Sequence, residues 1–292
     1  MVDSWRAVCY NRCGMIVDFH THIFPPEVIA QRETYRARDA WFGQLYANPQ
    51  ARLATAEDLL AAMGDGVAQA VTCGFAWNDP GLCRAANDYV LDAARRYPDR
   101  LIPFAVVQPR AGAEAEREIA RAVAQGARGL GELMPDGQGY RLDDLAMLQP
   151  LAEVAIAHGL PLLTHTSEPV GHSYPGKGTT TPDQVVRLAA AFPELVIVCA
   201  HWGGGLPFYE LLPEVAEALR NVYYDTAAST YLYRPAIFPL AAQAAGVAKI
   251  LWGSDYPLLS PRRFLAKVRA SGLDDSALAA ILGENARRLL RL

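Results

Sequence analysis

The sequence predicts an α/β chain folded as a single-domain (β/α)8 (TIM) barrel, and three observations predict it. Eight short β-like runs alternate with helical patterns along the 292 residues. Several runs are apolar throughout, as parallel strands buried on both faces are. Histidines or carboxylates then stand at the ends of runs far apart in sequence, where a barrel would gather them at one rim. An open doubly wound sheet is the competing architecture. It lacks a Gly-x-Gly-x-x-Gly after the first run, and its ligands would not converge from four distant strands.

The runs occupy residues 15–20, 69–74, 101–107, 127–132, 160–165, 195–200, 221–225 and 249–254. Helical segments follow at about 54–63, 82–97, 112–125, 143–158, 183–192, 206–219, 235–245 and 261–271, with two short terminal helices at 274–282 and 284–291. Thr181-Pro182-Asp183-Gln184 offers an N-cap, a proline at the first helical position and a glutamine to close a capping box, and Ser260-Pro261 repeats the Ser/Pro signal. Gly126, Gly159 and Gly246 stand where left-handed C-caps would fall. Two connections exceed what a barrel needs. Residues 23–53 carry Phe24, Tyr35, Trp41, Phe42 and Tyr46. Residues 166–181 carry Ser167, Glu168, His172, Tyr174 and Lys177. Both read as loops leaving the C-terminal face, and loops of that length are usually lids or binding loops.

Hydrophobic residues make up 51% of the chain and the net charge is −4, with no basic run. A sizeable core is therefore expected, and nucleic acid or an anionic membrane is not an expected partner. No apolar stretch approaches the roughly 18 residues that span a bilayer. Five scattered cysteines make no disulfide framework, which points to a reducing cytoplasm; Cys73 and Cys199 read as small core residues. Residues 1–14 lack the apolar core of a signal peptide and any periodicity. They read as an extension outside the fold, with Met15 as the natural start and 15–292 as the barrel.

The chemistry lies in the strand ends. His20 and His22 close the first run in Val17-Asp18-Phe19-His20-Thr21-His22, and side chains i and i+2 of a strand share a face. His165 ends the fifth run, His201 follows the sixth, and Asp255 follows the eighth. Four of the six histidines thus fall on one rim. Imidazoles with a carboxylate hold a divalent ion and leave a position open for water, which distinguishes a catalytic site from a structural one. Such an ion lowers the pKa of water to roughly 7, and a nearby histidine or carboxylate can take the proton. Glu132 ends the fourth run, where an unpaired charge has no core role. It is a candidate contact to metal or substrate. Asp225 ends the seventh run and is placed to hydrogen-bond groups behind the ligands. Gly203-Gly204-Gly205 after His201 reads as a tight turn or as close backbone approach to substrate.

The phrases VDFHTHIFP, LLTHTSEP, VCAHWGGG, LWGSDYP and ILGENARRLL together resemble the amidohydrolase superfamily, in its amidohydrolase-2 branch, which includes aminocarboxymuconate semialdehyde decarboxylase and related hydrolases. The resemblance spans about residues 15–292. It implies that His20, His22, His165 and Asp255 bind the metal, with His201 as an acid/base beside it and Asp255 doubling as a proton shuttle. In other branches the strand-6 histidine is itself a ligand. The Gly131-Glu132 phrase is similar to the strand-4 glutamate that binds metal in TatD-like hydrolases.

The function expected from this reading is hydrolysis. A metal-activated water attacks a carbonyl of an amide, lactone or ester in a small acidic substrate. The alternative is nonhydrolytic decarboxylation of a carboxylated aromatic or enal substrate. No arginine stands in the strand-end motifs to hold a leaving carboxylate, and Glu132 adds negative charge, so hydrolysis leads. A barrel that binds metal or a partner without catalysis is the third reading, and the intact set of strand-end residues argues against it. Zinc is the expected ion, with manganese or iron as alternatives. His172, Lys177 and Trp202 are candidate substrate contacts. A homodimer is expected only because dimers are the commonest assembly.

Overall fold

The computed structural model describes residues 15–292. The extension expected at residues 1–14 lies outside the described residues, as do Cys9 and Cys13. Eight parallel strands pair in chain order: β1 (Val17–His22), β2 (Gln69–Cys73), β3 (Leu101–Ala105), β4 (Gly129–Leu133), β5 (Leu162–Thr164), β6 (Ile197–Cys199), β7 (Val222–Asp225) and β8 (Ile250–Leu251). The ring closes between the chain segments of β8 and β1. Phe19 N–H donates to Trp252 O (2.7 Å), Asp255 N–H to His20 O (2.9 Å) and His22 N–H to Tyr256 O (2.7 Å). The buried Asp18 carboxylate adds a bond from Ser254 N–H (2.8 Å). The expected (β/α)8 barrel is the observed fold.

Strand alternation divides the core in two. Val17, Phe19, Val71, Ile102, Phe104, Leu163, Val198 and Leu251 point into the barrel, and Ala286 and Leu290 of the terminal helix join their cluster. The intervening residues, such as Leu130, Leu162, Ile197, Val222 and Ile250, pack outward against the helices. Cys73 and Cys199 are buried. β4 is built around its glycines. A Cβ on Gly129 would lie 2.3 Å from the Phe104 ring, and one on Gly131 would lie 2.0 Å from Leu163 O. Both β1 and β4 carry a register shift, between Asp18 and Thr21 and between Leu130 and Leu133. Such irregularities re-aim side chains, and they fall where His20 and Glu132 stand.

Three sequence expectations change. The connection at 23–53 is not a loop: it folds into helices Pro26–Ala30, Arg32–Arg38 and Ala40–Leu45. Pro26 starts the first of these, and Asp39 caps the third by accepting from Phe42 N–H (2.9 Å). The helix expected over 206–219 is instead a 3-10 segment, His201–Leu211, followed by a helix at Pro213–Ala218. Residues 201–205 all have positive φ, so the chain leaves β6 in a left-handed turn. A Cβ on Gly204 would lie 2.3 Å from Ser167 O, which requires glycine there on space as well as conformation. The capping box expected at Thr181 does not form. Gln184 accepts from Leu142 N–H (3.2 Å) and donates to Thr179 O (2.6 Å), so its amide ties two connections together. Among the described residues, no helix is long and apolar enough to cross a membrane.

The space requirement at Gly131 is separable from its backbone requirement. Gly131 and Gly126 share nearly the same φ, +112° and +102°, but nothing lies within 4 Å of a Cβ built on Gly126. Both alanine variants therefore carry a left-handed penalty of about 1–2 kcal/mol. Gly131→Ala adds overpacking of roughly 1–3 kcal/mol. Urea unfolding should find Gly131→Ala the less stable of the two by that margin; equal stabilities would show that β4 relaxes around the methyl.

Candidate metal centre

Glu132 is the hub of the strand-end residues. β4 carries its carboxylate into the barrel mouth, where it is buried at 1% exposure. One oxygen, Oε2, lies 3.4 Å from both His20 Nε2 and His22 Nε2. Those two nitrogens are 3.0 Å apart, and each is 3.6 Å from Asp255 Oδ1. The other oxygen, Oε1, lies 3.1 Å from His165 Nδ1 and 3.5 Å from His201 Nε2, which are themselves 3.1 Å apart. Two donor groups therefore meet at one carboxylate: His20, His22 and Asp255 on one side, His165 and His201 on the other.

The outer ring nitrogens are wired so that lone pairs face inward. His20 Nδ1 is 2.7 Å from Asp225 Oδ2, His201 Nδ1 is 3.3 Å from Ala227 O, and His165 Nε2 is 2.9 Å from Gly176 O. Carboxylates and carbonyls only accept, so each of these nitrogens carries the proton. In the neutral imidazoles the opposite nitrogen is then bare. Asp225 also accepts from His201 N–H (3.0 Å) and Ala227 N–H (2.9 Å), so one β7 carboxylate orients residues of both groups.

This donor set fits a divalent cation. A tetrahedral ion with bonds of about 2.1 Å holds its donors roughly 3.4 Å apart. His20 Nε2, His22 Nε2 and Asp255 Oδ1 lie 3.0–3.6 Å from one another, and Glu132 Oε2 lies 3.4 Å from both imidazoles. Imidazole with carboxylate suits zinc, manganese and iron alike. Glu132 lies between the two groups, within reach of His20 and His22 through Oε2 and of His165 and His201 through Oε1. His165 stands with His201 across the carboxylate.

The electrostatics agree. Burial works against a charge on His20, but Asp225 and Glu132 outweigh it and hold the imidazole well above its ordinary pKa. His201 is likewise opposed by burial yet pushed up to about 9 by Glu132, Asp255 and Asp225. Burial would raise Glu132, but His20, His165 and His201 hold it well below the usual carboxylate range. Carboxylates crowded into a dry site thus draw positive charge, as protons when no ion supplies it.

The remaining candidates lie elsewhere. Lys177 turns back on its own loop, donating to Val170 O (2.6 Å) and His172 O (3.1 Å), and the His172 side chain is exposed. Trp202 is fully buried, with its indole N–H on Ser229 Oγ (2.7 Å) and its ring edge-on to Phe238, so it is a packing residue and offers no surface to a substrate. Tyr46 entered the sequence reading only as one of the aromatics of the 23–53 connection, with no role of its own. Its ring stacks with Phe42 (4.5 Å between centroids) and Phe24 (5.6 Å), at the end of the third helix of the β1 connection. Burial and the negative charges of Asp255 and Glu132 hold its hydroxyl well above the ordinary tyrosine value, so it stays a neutral donor facing the centre. The Asp39 cap signal before residues 40–45 was the available clue that this segment is a fixed helix.

A (β/α)8 barrel with histidines and carboxylates converging at the C-terminal mouth defines a metal-dependent enzyme class. The amidohydrolase family model matches residues 17–292, and the chain belongs to that family. No curated protein matches the sequence. Among solved structures, 5-carboxyvanillate decarboxylase of Sphingomonas paucimobilis is similar, at 22% identity and a TM-score of 0.78, over 95% of this chain and 99% of that one. A dihydroxybenzoic acid decarboxylase of Polaromonas sp. JS666, with bound manganese and the inhibitor 2-nitroresorcinol, matches at 19% identity and a TM-score of 0.73, over 95% and 97%. The 2,6-dihydroxybenzoate decarboxylase of Rhizobium matches at 20% identity and 0.69, over 95% and 98%.

Two outcomes follow for the centre. Glu132→Ala removes a donor from both groups and should weaken metal binding at least about tenfold, read by plasma mass spectrometry after dialysis and by chelator competition; unchanged content and affinity would remove Glu132 from the ligand set. Metal uptake should also release protons, because His20 and His201 are held protonated without it. Affinity for Zn2+ should therefore rise between about pH 6 and 9 and fall as the solution is acidified. A pH-independent affinity would show that those imidazoles are already neutral.

Proposed function

We propose that the protein is a metal-dependent decarboxylase of small carboxylated aromatics. The observation that carries this reading is the cluster of imidazoles and carboxylates at the mouth of a barrel similar to those of benzoate decarboxylases. Phe24, Phe42, Phe75, Trp77 and Tyr46 interlock over the β1 and β2 ends, with centroid distances of 4.5–6.3 Å. Phe24, Phe42, Phe75 and Trp77 are buried, and Tyr46, the partly exposed member, is the ring left for a planar substrate to meet. The likeness to decarboxylases of hydroxylated benzoates supports the reading.

A divalent ion held by His20, His22, Glu132 and Asp255 would supply the positive charge that binds and orients the substrate's oxygen substituents. The remaining work falls to the protein's own groups. Tyr46 offers an O–H to the substrate anion. His201, kept protonated by the surrounding carboxylates and fixed by Ala227 O, donates its Nε2 proton to the ring carbon that bears the carboxylate. The carbon–carbon bond then breaks, its electron pair returns to the ring, and carbon dioxide leaves. Asp255 is the most open member of the cluster, at 15% side-chain exposure, and returns a proton to His201 from solvent. Hydrolysis is the second reading, and Glu132 favours it: a carboxylate inside the cluster repels an anionic substrate but suits deprotonation of water.

The two readings part in water enriched in oxygen-18. With carboxylated phenols as a panel, decarboxylation releases carbon dioxide and puts no heavy oxygen into the organic product, whereas hydrolysis places it in a new carboxylate. His201→Asn should cut turnover by roughly 10²–10⁴ while leaving metal content near wild type. Parallel loss of metal would make His201 a ligand instead.

A further inference from the structure

The connection that follows β5 is clamped from outside by one residue of the β4 connection. Asp136 lies in the short helix Pro135–Gln138. Its Oδ1 accepts from Thr179 N–H (2.7 Å) and Thr179 Oγ1–H (2.7 Å). Its Oδ2 accepts from Thr180 N–H (3.2 Å) and Thr180 Oγ1–H (2.8 Å). A Cβ on Gly178 would lie 2.1 Å from Asp136 Oδ2, so the chain must be bare where the carboxylate presses on it. The helix that carries Asp136 is itself anchored. Gln138 is fully buried, donates to Val107 O (2.7 Å) and Trp77 O (3.2 Å), and accepts from Met134 N–H (3.2 Å).

The returning limb of the β5 connection then sets His165. Thr180 O accepts from Ser167 N–H (2.8 Å), and Ser167 Oγ accepts from Gly178 N–H (2.9 Å). Gly176 O, two residues before the clamped stretch, takes the His165 Nε2 proton at 2.9 Å. Helix Ala40–Leu45 packs on the same limb: a Cβ on Gly176 would lie 2.8 Å from Leu45 Cδ2, and one on Gly137 would lie 2.5 Å from Trp41.

We infer that Asp136 is a positioning residue for the metal centre: by clamping Thr179 and Thr180 it holds the Gly176 carbonyl on His165 Nε2, and so turns Nδ1 towards Glu132 and His201. Carbonyl partners behind a histidine ligand fix its tautomer and orientation, and their loss typically weakens metal binding 10–100-fold. Here the partner is a loop carbonyl, held by the clamp together with the Ser167–Gly178 bond and a turn from Lys177 N–H to Tyr174 O (3.0 Å). The inference rests on the metal-centre reading, not on which reaction the centre performs.

The test uses the full chain with Asp136→Ala and, separately, Gly178→Ala, which wedges the clamp open by pressing a methyl on the carboxylate without removing it. Arg141→Ala, at an exposed pair with Asp143, serves as the surface control. Two readouts are taken: the tautomer of His165 by nitrogen-15 NMR of the metal-free protein, and Zn2+ affinity by chelator competition. Wild type and control should show one His165 ring state with Nε2 carrying a proton; both clamp variants should show a mixture in which Nε2 is partly bare, with Zn2+ bound roughly 10–100-fold more weakly. A clamp that is merely structural would lower the melting temperature and leave the tautomer and the affinity alone, and that result would overturn the inference. If Asp136→Ala does not fold, Asp136→Asn keeps one acceptor oxygen and should show an intermediate tautomer mixture; a wild-type pattern there would also overturn it. Wild type that binds no Zn2+ while the tautomer still shifts in the variants would overturn the metal-centre reading and leave the positioning role standing.

Discussion

A carboxylate buried at the mouth of the barrel is the constraint on which the site depends. Glu132 is almost wholly withdrawn from water, and an ionised carboxylate so placed is costly unless it is met by positive charge and hydrogen bonds. The fold meets it with four imidazoles from β1, β5 and β6, two at each oxygen. Their proximity explains why Glu132 stays ionised and why His20 and His201 hold protons so firmly. An arrangement that collects positive charge around one carboxylate is also an arrangement that accepts a divalent cation in place of protons.

The surroundings keep that cluster from rearranging. Three of the four histidines have their outer nitrogen held by an acceptor, and the acceptors come from two places: Asp225 and Ala227 at the end of β7, and Gly176 in the connection after β5. The backbone is bent to suit. His201, Trp202, Ala228 and Asp255 all have positive φ, a conformation that side chains adopt at a cost and that gathers at functional sites. Gly203 and Gly204 continue the turn after His201, where any side chain would strike Tyr224 or the Ser167 carbonyl. The β1 connection adds its own rigid body, a cluster of buried rings from Phe24, Phe42, Phe75 and Trp77.

The charge at the centre is more balanced than the strand-end motifs suggest. Negative charge on Glu132 and Asp255 would repel an anionic substrate if it stood alone, which is why the strand-end motifs by themselves lean towards hydrolysis. The folded chain changes the balance in two ways: the carboxylates are compensated by imidazoles, and Tyr46 brings a neutral donor against them. A barrel mouth that reads as acidic in sequence therefore has no large excess of negative charge where a substrate would approach.

The alternation of apolar runs and helical patterns, with polar residues at the run ends, determined the barrel, the rim and the identity of every residue in the cluster. Period-2 burial and strand-end position are local properties, so a single chain displays them. What lay beyond it were relations between segments. That Glu132 stands between the two histidine groups depends on the register shift in β4 and on glycines that admit Phe104 and the Leu163 carbonyl. That Lys177 and Trp202 serve their own loop and core depends on contacts made after the chain has turned. The 23–53 connection read as a loop because its helices are short and bury their rings against Phe75 and Trp77 from another strand end. Only tertiary packing decides such contacts, because each requires two segments whose separation in sequence carries no trace of their distance in space.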